Sequence, residues 1–390
     1  MSSFRMAGFA VSLTASMGAV VALSFGLTPG CGSTDTSNGL GNGPGEGGAM
    51  TDGAPVSMGD GGGPTGDSGG RTDTGAPGRD SGKVPDGSSG PCTTNTGAIS
   101  GTVGGNGGSI SRLVFAVVGD TRPVNEDDPG SYPTAIITKI YQDIEAQSPH
   151  PPFVLATGDY QFSSTGSGST ADQQVGIYMQ ARKAYTGASF PAMGNHECGV
   201  SGPYSGSTEA NCGPGNPGGA TPNYNAFMSQ MLAPINQANP YYAINVNATD
   251  GSWTAKFVIT AANAWDTAQQ TWLQTTMAQK TTYTFIVRHE ASDATPPLPP
   301  GVAGVDAVIA NYPYTMMING HAHTYYWYYG NPNKMTVGNG GAPLSSKTYG
   351  YALFSQRCDG PMVVDMYDYM TGATDPKFHF VITPDGKETQ

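Results

Sequence analysis

Six histidines are spread along the chain, at His150, His196, His289, His321, His323 and His379. Four of them, His196, His289, His321 and His323, follow directly on short apolar runs, beside Gly or other polar residues. The same kind of turn carries Asp120, Asp159 and Asn195. Imidazole nitrogen and carboxylate oxygen hold borderline metals such as Zn, Fe or Mn, so the collection reads as a metal site. Each element has a plainer reading when taken singly. Gly119-Asp120 and Gly158-Asp159 suit turns in which Asp accepts from nearby backbone N–H groups. The Asn of Gly194-Asn195-His196-Glu197 suits a helix cap, and a lone His289 suits a satisfied core position. Gly320-His321-Ala322-His323 is more telling, because residues two apart on an extended segment point the same way and bring both imidazoles to one cluster.

These turns must be placed by the elements before them. Residues 113–118, 153–156, 190–193 and 283–287 are short apolar runs that read as buried strands. Pro133 opens a helical pattern with Ile137, Ile140, Tyr141 and Ile144 at i, i+3, i+4 and i+7. Residues 173–185 suit a second helix, and Asp266 caps a third through Trp272, Leu273 and Met277. Strands are expected at 241–246 and 256–260. After the Pro-rich stretch 296–300, short strands dominate, at 314–318, 324–329, 335–337, 351–355, 361–366 and 378–382. Mixed α/β segments followed by a strand-rich end point to two sheets packed face to face with helices outside. In open α/β sheets the carboxyl ends of strands are where sites gather.

In their order, GD, GD, GNHE, a His after a strand and GHxH resemble the calcineurin-like metallophosphoesterase superfamily, on its purple acid phosphatase side. The resemblance covers 112–340 and extends to Gln269-x-x-Trp272-Leu273 and Gly338-Asn339-Gly340-Gly341. It implies an α/β/β/α sandwich and hydrolysis of a small phosphoester, with phosphomonoesters favoured over diesters. It also implies two metal ions bridged by Asp159. Asp120 and His323 complete the first, Asn195, His289 and His321 complete the second, and His196 protonates the leaving group. One position departs from the family pattern. Arg122 stands where a His ligand is usual, and a guanidinium offers no lone pair. Phe162 stands where a purple acid phosphatase carries a ligand Tyr, and Tyr160 lies nearby on a turn that can aim it elsewhere. Water fills the gap, or Arg122 binds a phosphate oxygen through its planar fork, or the first metal is weak. Binding of phosphate is the favoured outcome. The alternative to an enzyme is a non-catalytic or single-metal surface binding protein that keeps the fold. The aromatic residues at 325–329 suit either a carbohydrate-binding face or, preferably, packing inside the sandwich.

Composition sets the limits. With 17 Lys and Arg against 29 Asp and Glu the net charge is -12, and no basic run exists to meet a nucleic-acid backbone. Residues 32–110 hold 26 of the 57 Gly and no aromatic residue, so they read as a disordered tether ahead of a domain at 111–390. Residues 1–31 have a basic start at Arg5 and an interrupted apolar stretch, the layout of a secretory signal, with an uncleaved membrane anchor as the alternative. Leu27 to Cys31 resembles a lipoprotein processing site, although Thr28 and Pro29 are unusual there. The expected location is therefore extracytoplasmic, secreted or held to a membrane by a lipid on Cys31. The other cysteines, Cys92, Cys198, Cys212 and Cys358, number four, which favours disulfides in an exported chain. Cys198 with Cys212 and Cys92 with Cys358 is the favoured pairing; no CxxC supports a metal or reactive-thiol role. Gly/Ser-rich insertions at 163–170 and 199–222 suit a site entrance.

Overall fold

The computed structural model describes residues 97–166, 169–199, 210–328, 333–345 and 347–389. The expected signal at 1–31, the tether up to residue 96, Cys31 and Cys92 lie outside the described residues. The chain runs through β1 (Gly101–Gly104), β2 (Gly107–Ile110), β3 (Val114–Val118), α1 (Thr134–Glu145), β4 (Phe153–Ala156), α2 (Ala171–Arg182) and β5 (Ala188–Pro191). Next come α3 (Pro222–Phe227), β6 (Tyr242–Ala248), β7 (Thr254–Ile259), α4 (Thr267–Ala278), β8 (Tyr283–Val287), α5 (Pro300–Ile309) and β9 (Met316–Asn319). The strand-rich end supplies β10 (Tyr325–Trp327), β11 (Lys334–Val337), β12 (Gly350–Gln356), β13 (Met362–Asp368), β14 (Thr374–Ile382) and β15 (Glu388–Thr389).

Two sheets result. One orders its strands β1-β2-β6-β7-β8-β9-β11-β10, the other β15-β14-β13-β12-β3-β4-β5. They meet through aromatic rings. Phe115 of β3 lies 5.1 Å from Phe257 of β7 and 5.0 Å from Phe285 of β8, both edge to face, and stacks at 4.6 Å on Phe354 of β12. Because side chains alternate along a strand, Val258 and Ile286 point away from that layer. With Met317 they pack against Leu273 and Met277 of α4 and Val305, Val308 and Ile309 of α5. On the other sheet α1 and α2 carry the crossovers between parallel β3, β4 and β5, and their Tyr141 and Tyr178 hydroxyls meet at 2.7 Å. The arrangement is an α/β/β/α sandwich, as expected. Among the described residues no helix is long and apolar enough to cross a membrane.

Several expectations need correction. The domain begins before residue 111: β1 and β2 form a hairpin whose second strand pairs in parallel with β6, Ile110 opposite Ala248. Glycine here serves close approach, since a Cβ on Gly108 would lie 2.0 Å from the Thr102 carbonyl oxygen. Residues 300–309 form a helix, started by Pro300 at a position where its missing N–H costs nothing. The bridge expected between Cys198 and Cys212 is not formed. Both are buried free thiols, Cys198 donates to the Asn263 carbonyl at 3.4 Å, and burial, then Cys198, pushes the Cys212 thiol pKa up. Pairing of Cys92 with Cys358 falls on a residue outside the description. Within the aromatic segment Trp327 stacks on Phe380 at 4.1 Å and Tyr325 meets Phe378 edge to face, as the packing reading expected, while half-buried Tyr326 and Tyr328 meet each other.

Candidate metal centre

The carboxyl ends of β3, β4 and β5 in one sheet face those of β8 and β9 in the other, and the turns that leave these five strands carry the expected site residues. Asp120 and Asp159 follow β3 and β4, Asn195 and His196 follow β5, His289 follows β8, and His321 and His323 follow β9. Side chains can turn into the gap only if the backbone bends sharply. Seven non-glycine residues among those described have positive φ, and four of them are Asp120 (57°), Asp159 (58°), His321 (70°) and His323 (46°). Left-handed backbone costs free energy for such residues, so strain is concentrated at this site. The two histidines of GHAH therefore reach the cluster from left-handed turns and not, as expected, from an extended segment. Gly194 lets the β5 turn pass close by, since a Cβ there would lie 2.3 Å from Asp159 Oδ1.

Asp159, His289 and His321 offer ligand atoms within 4.8 Å of one another, and so do Asp120, Asp159 and His323. The two groups share Asp159. Asn195 belongs with the first, its Oδ1 lying 3.1 Å from His289 Nε2 and 3.2 Å from His321 Nδ1. His289 Nε2 is also 3.2 Å from Asp159 Oδ1 and 3.3 Å from His321 Nδ1.

The ring tautomers follow from the other nitrogens. A carbonyl oxygen only accepts, so His289 Nδ1–H donates to Thr157 O at 2.8 Å and His323 Nδ1–H to Pro343 O at 2.8 Å. In the neutral rings both Nε2 lone pairs then face carboxylate oxygens, His323 Nε2 being 3.9 Å from Asp120 Oδ1. Acceptors converging on acceptors are unfavourable unless a cation or proton stands between them. Burial alone lowers the His289 pKa, but Asp159 and Asp120 overturn that and hold it well above the usual imidazole range. Burial, then His289, pushes His321 to about 4; burial, then Arg122, pushes His323 to about 4. Burial raises the Asp120 pKa against the pull of His289; on Asp159 the same burial is outweighed by His289 and His196, which hold it well below the carboxylate range. The donor set thus fits two cations of the N/O-binding kind.

Around the cluster, His196 places Nε2 3.9 Å from Asp159 Oδ2, while its Nδ1 is buried without a hydrogen-bond partner. Burial holds its pKa well below the usual value, against the pull of Asp159. Arg122 Nε, also buried and unpartnered, lies 4.0 Å from Asp159 Oδ2. Tyr160 points away; its hydroxyl donates to Ala156 O at 3.1 Å and its ring packs on Tyr178 and Phe227. His150 and His379 lie elsewhere, paired with Glu145 and Asp365.

The structure also assembles residues to which the motifs gave no role. The buried Glu197 carboxylate accepts from Asp159 N, Tyr160 N and Gly194 N at 2.9, 2.8 and 2.8 Å, tying the β4 and β5 turns together. Asn223 of α3 donates to His196 O at 3.0 Å and Ser163 O at 2.8 Å. The fourth letter of GNHE was the available signal for Glu197; none existed for Asn223.

No family model and no curated protein matches the chain. Among solved structures it is similar to a purple acid phosphatase from yellow lupin (Lupinus luteus) seeds, with 17% identity and a TM-score of 0.46 over 72% of this chain and 57% of that one. It is also similar to GAP50, the anchor in the inner membrane complex of Plasmodium, at 12% identity and a TM-score of 0.48, covering 72% of this chain and 90% of that one. A dimetal phosphatase from Danio rerio matches at 12% identity and a TM-score of 0.45, over 70% and 99% of the two chains. The chain spans little more than half the length of the lupin enzyme. Likenesses of this strength fix neither a family nor an activity.

Proposed function

We propose that the chain is a hydrolase of phosphate esters of the calcineurin-like metallophosphoesterase kind, acting at a site for two metal ions. The observation that carries this reading is the pair of ligand groups meeting at Asp159. Asp120, Asp159 and His323 would hold one ion, and Asp159, Asn195, His289 and His321 would hold the other; Zn, Fe and Mn suit these donors. When bound, two such ions polarise the phosphoryl group and activate water at neutral pH.

The chain's own residues do the rest. Thr157 O and Pro343 O fix the rings of His289 and His323 so that Nε2 faces inward. Arg122, set back from Asp159, takes a phosphoryl oxygen with its fork and favours the doubly charged group of a monoester. His196 Nε2 stands 3.9 Å from Asp159 Oδ2, and burial holds its pKa low. The negative charge of an arriving phosphoester raises its pKa, so it acquires a proton as the substrate binds and passes it to the departing oxygen.

Metal analysis of the purified chain with hydrolysis of 4-nitrophenyl phosphate and its bis-ester tests this. Two equivalents of metal, faster turnover of the monoester, and a loss of roughly a hundredfold or more in His196→Ala are the expected results. One equivalent or none, with no turnover of either ester at any pH, overturns the hydrolase and leaves the binding-protein alternative.

A further inference from the structure

Phe162 bears no ligand atom, yet its ring touches two of the groups that the proposed reaction uses. The Arg122 guanidinium carbon sits over its face, 4.6 Å from the ring centroid. The His196 ring meets it edge to face, at 4.9 Å and 81°. Beyond the ring, Arg122 has one long ion pair, Nε lying 4.0 Å from Asp159 Oδ2, and one hydrogen bond, from NH1 at 3.2 Å to the carbonyl of Pro123, the next residue along. A bond so local does not aim a long side chain across a cavity. Phe162 is itself firmly placed. Its N–H donates to Gln174 Oε1 at 2.6 Å, and its carbonyl accepts from Gln174 Nε2 at 3.1 Å and from Asp127 N at 2.9 Å. Gln174 is fully buried in α2.

We propose, resting on the hydrolase reading above, that Phe162 is a positioning residue which holds the phosphate-binding Arg122 and the proton-donating His196 in one register. The ring face attracts the guanidinium through its quadrupole and leaves the fork free for a phosphoryl oxygen. Contact with the imidazole fixes the plane of His196. Without the ring, Arg122 regains the freedom of a long side chain and His196 loses one wall. Loss of Phe162 therefore weakens substrate binding through Arg122 and slows turnover through His196, and the two losses are separable.

The experiment compares Phe162→Leu and Phe162→Trp, alone and with Arg122→Ala or His196→Ala, in the metal-loaded protein. It reads KM and kcat for 4-nitrophenyl phosphate, the Kd of inorganic phosphate by calorimetry, and metal content. Phe162→Leu is expected to raise KM and the phosphate Kd about tenfold and to lower kcat, with metal content unchanged; Phe162→Trp keeps an aromatic face, adds no ligand oxygen, and loses less in KM and Kd than Phe162→Leu. The KM and Kd penalties of Phe162→Leu should vanish beside Arg122→Ala, and its kcat penalty should vanish beside His196→Ala. Full penalties in both backgrounds, an equal KM and Kd loss in Phe162→Trp, or a fall in metal content overturns the proposal. If the wild type turns over no phosphoester, the hydrolase reading fails and the phosphate-binding cycle alone decides whether Phe162 acts through Arg122. Should Phe162→Leu fail to fold, Phe162→Met replaces it on the same criteria.

Discussion

The Glu197 carboxylate gives the sharpest structural test of how the site is held together. It is fully buried and accepts three backbone N–H groups, two at Oε2 from Asp159 and Gly194 and one at Oε1 from Tyr160. Glu197→Ala leaves all three donors without an acceptor. Each unsatisfied buried donor costs about 1–3 kcal/mol, and a water entering the vacated space recovers one of them. The two left over cost about 2–6 kcal/mol, a large share of the roughly 5–15 kcal/mol that stabilises a typical domain. Glu197→Gln separates hydrogen bonding from side-chain volume. Its amide oxygen can take the two donors at the Oε2 position, but its NH2 then faces Tyr160 N, so one donor is lost and the expected cost is about 1–3 kcal/mol. Urea denaturation of the metal-free proteins, with equal m-values checked, reads the difference. Metal retained after dialysis should fall in the same order, because Asp159 sits at φ 58° and its turn is fastened through its own N–H to Glu197. Equal stabilities of the Gln and Ala variants, or a loss below about 1 kcal/mol in Glu197→Ala, would refute the reasoning.

Asp159→Ala should abolish binding of both metal ions, whereas His323→Ala should leave one equivalent, as read by elemental analysis after dialysis; equal losses would contradict a shared carboxylate. Arg122→Ala should raise KM for an aryl phosphate by about tenfold or more with metal content unchanged, and a fall in metal at constant KM would make the Arg structural. Lys256 is buried under the end of α4, its ammonium donating to Thr276 O at 2.7 Å and Gln279 O at 2.5 Å. Lys256→Met should therefore lower the unfolding free energy by about 1–3 kcal/mol without altering turnover, and an unchanged urea midpoint would show that water replaces the ammonium.

The parts of the site that could be read from sequence are those set by local chemistry. The runs 113–118 and 153–156 are apolar throughout, and 283–287 is broken only by Thr284, because β3, β4 and β8 are covered on both sides; polar side chains begin within two residues of each run's end. Asp120, Asp159, His289, His321 and His323 stand out because few other residue types offer a metal a lone pair. What escaped depends on partners far along the chain. The glycines of β1 and β2 resemble those of a linker until β6 arrives to pair with Ile110 and its neighbours. Residues 300–309 are apolar on almost every side, so their pattern hides the helix that only packing against Val258, Ile286 and Met317 reveals. Cys198 and Cys212 meet the spacing for a loop-closing bridge, but spacing says nothing of the Asn263 carbonyl that takes the Cys198 thiol. Phe162 shows the limit most plainly. Three residues after Asp159, its type excludes a ligand and suggests nothing else, since a phenyl ring acts only through what lies against its face and edge. Those neighbours, Arg122 and His196, come from the turns after β3 and β5, on either side of the β4 turn that carries it. A residue whose work is to position others has no spacing signature of its own, because the geometry it controls exists only once three separate strand ends have been brought together.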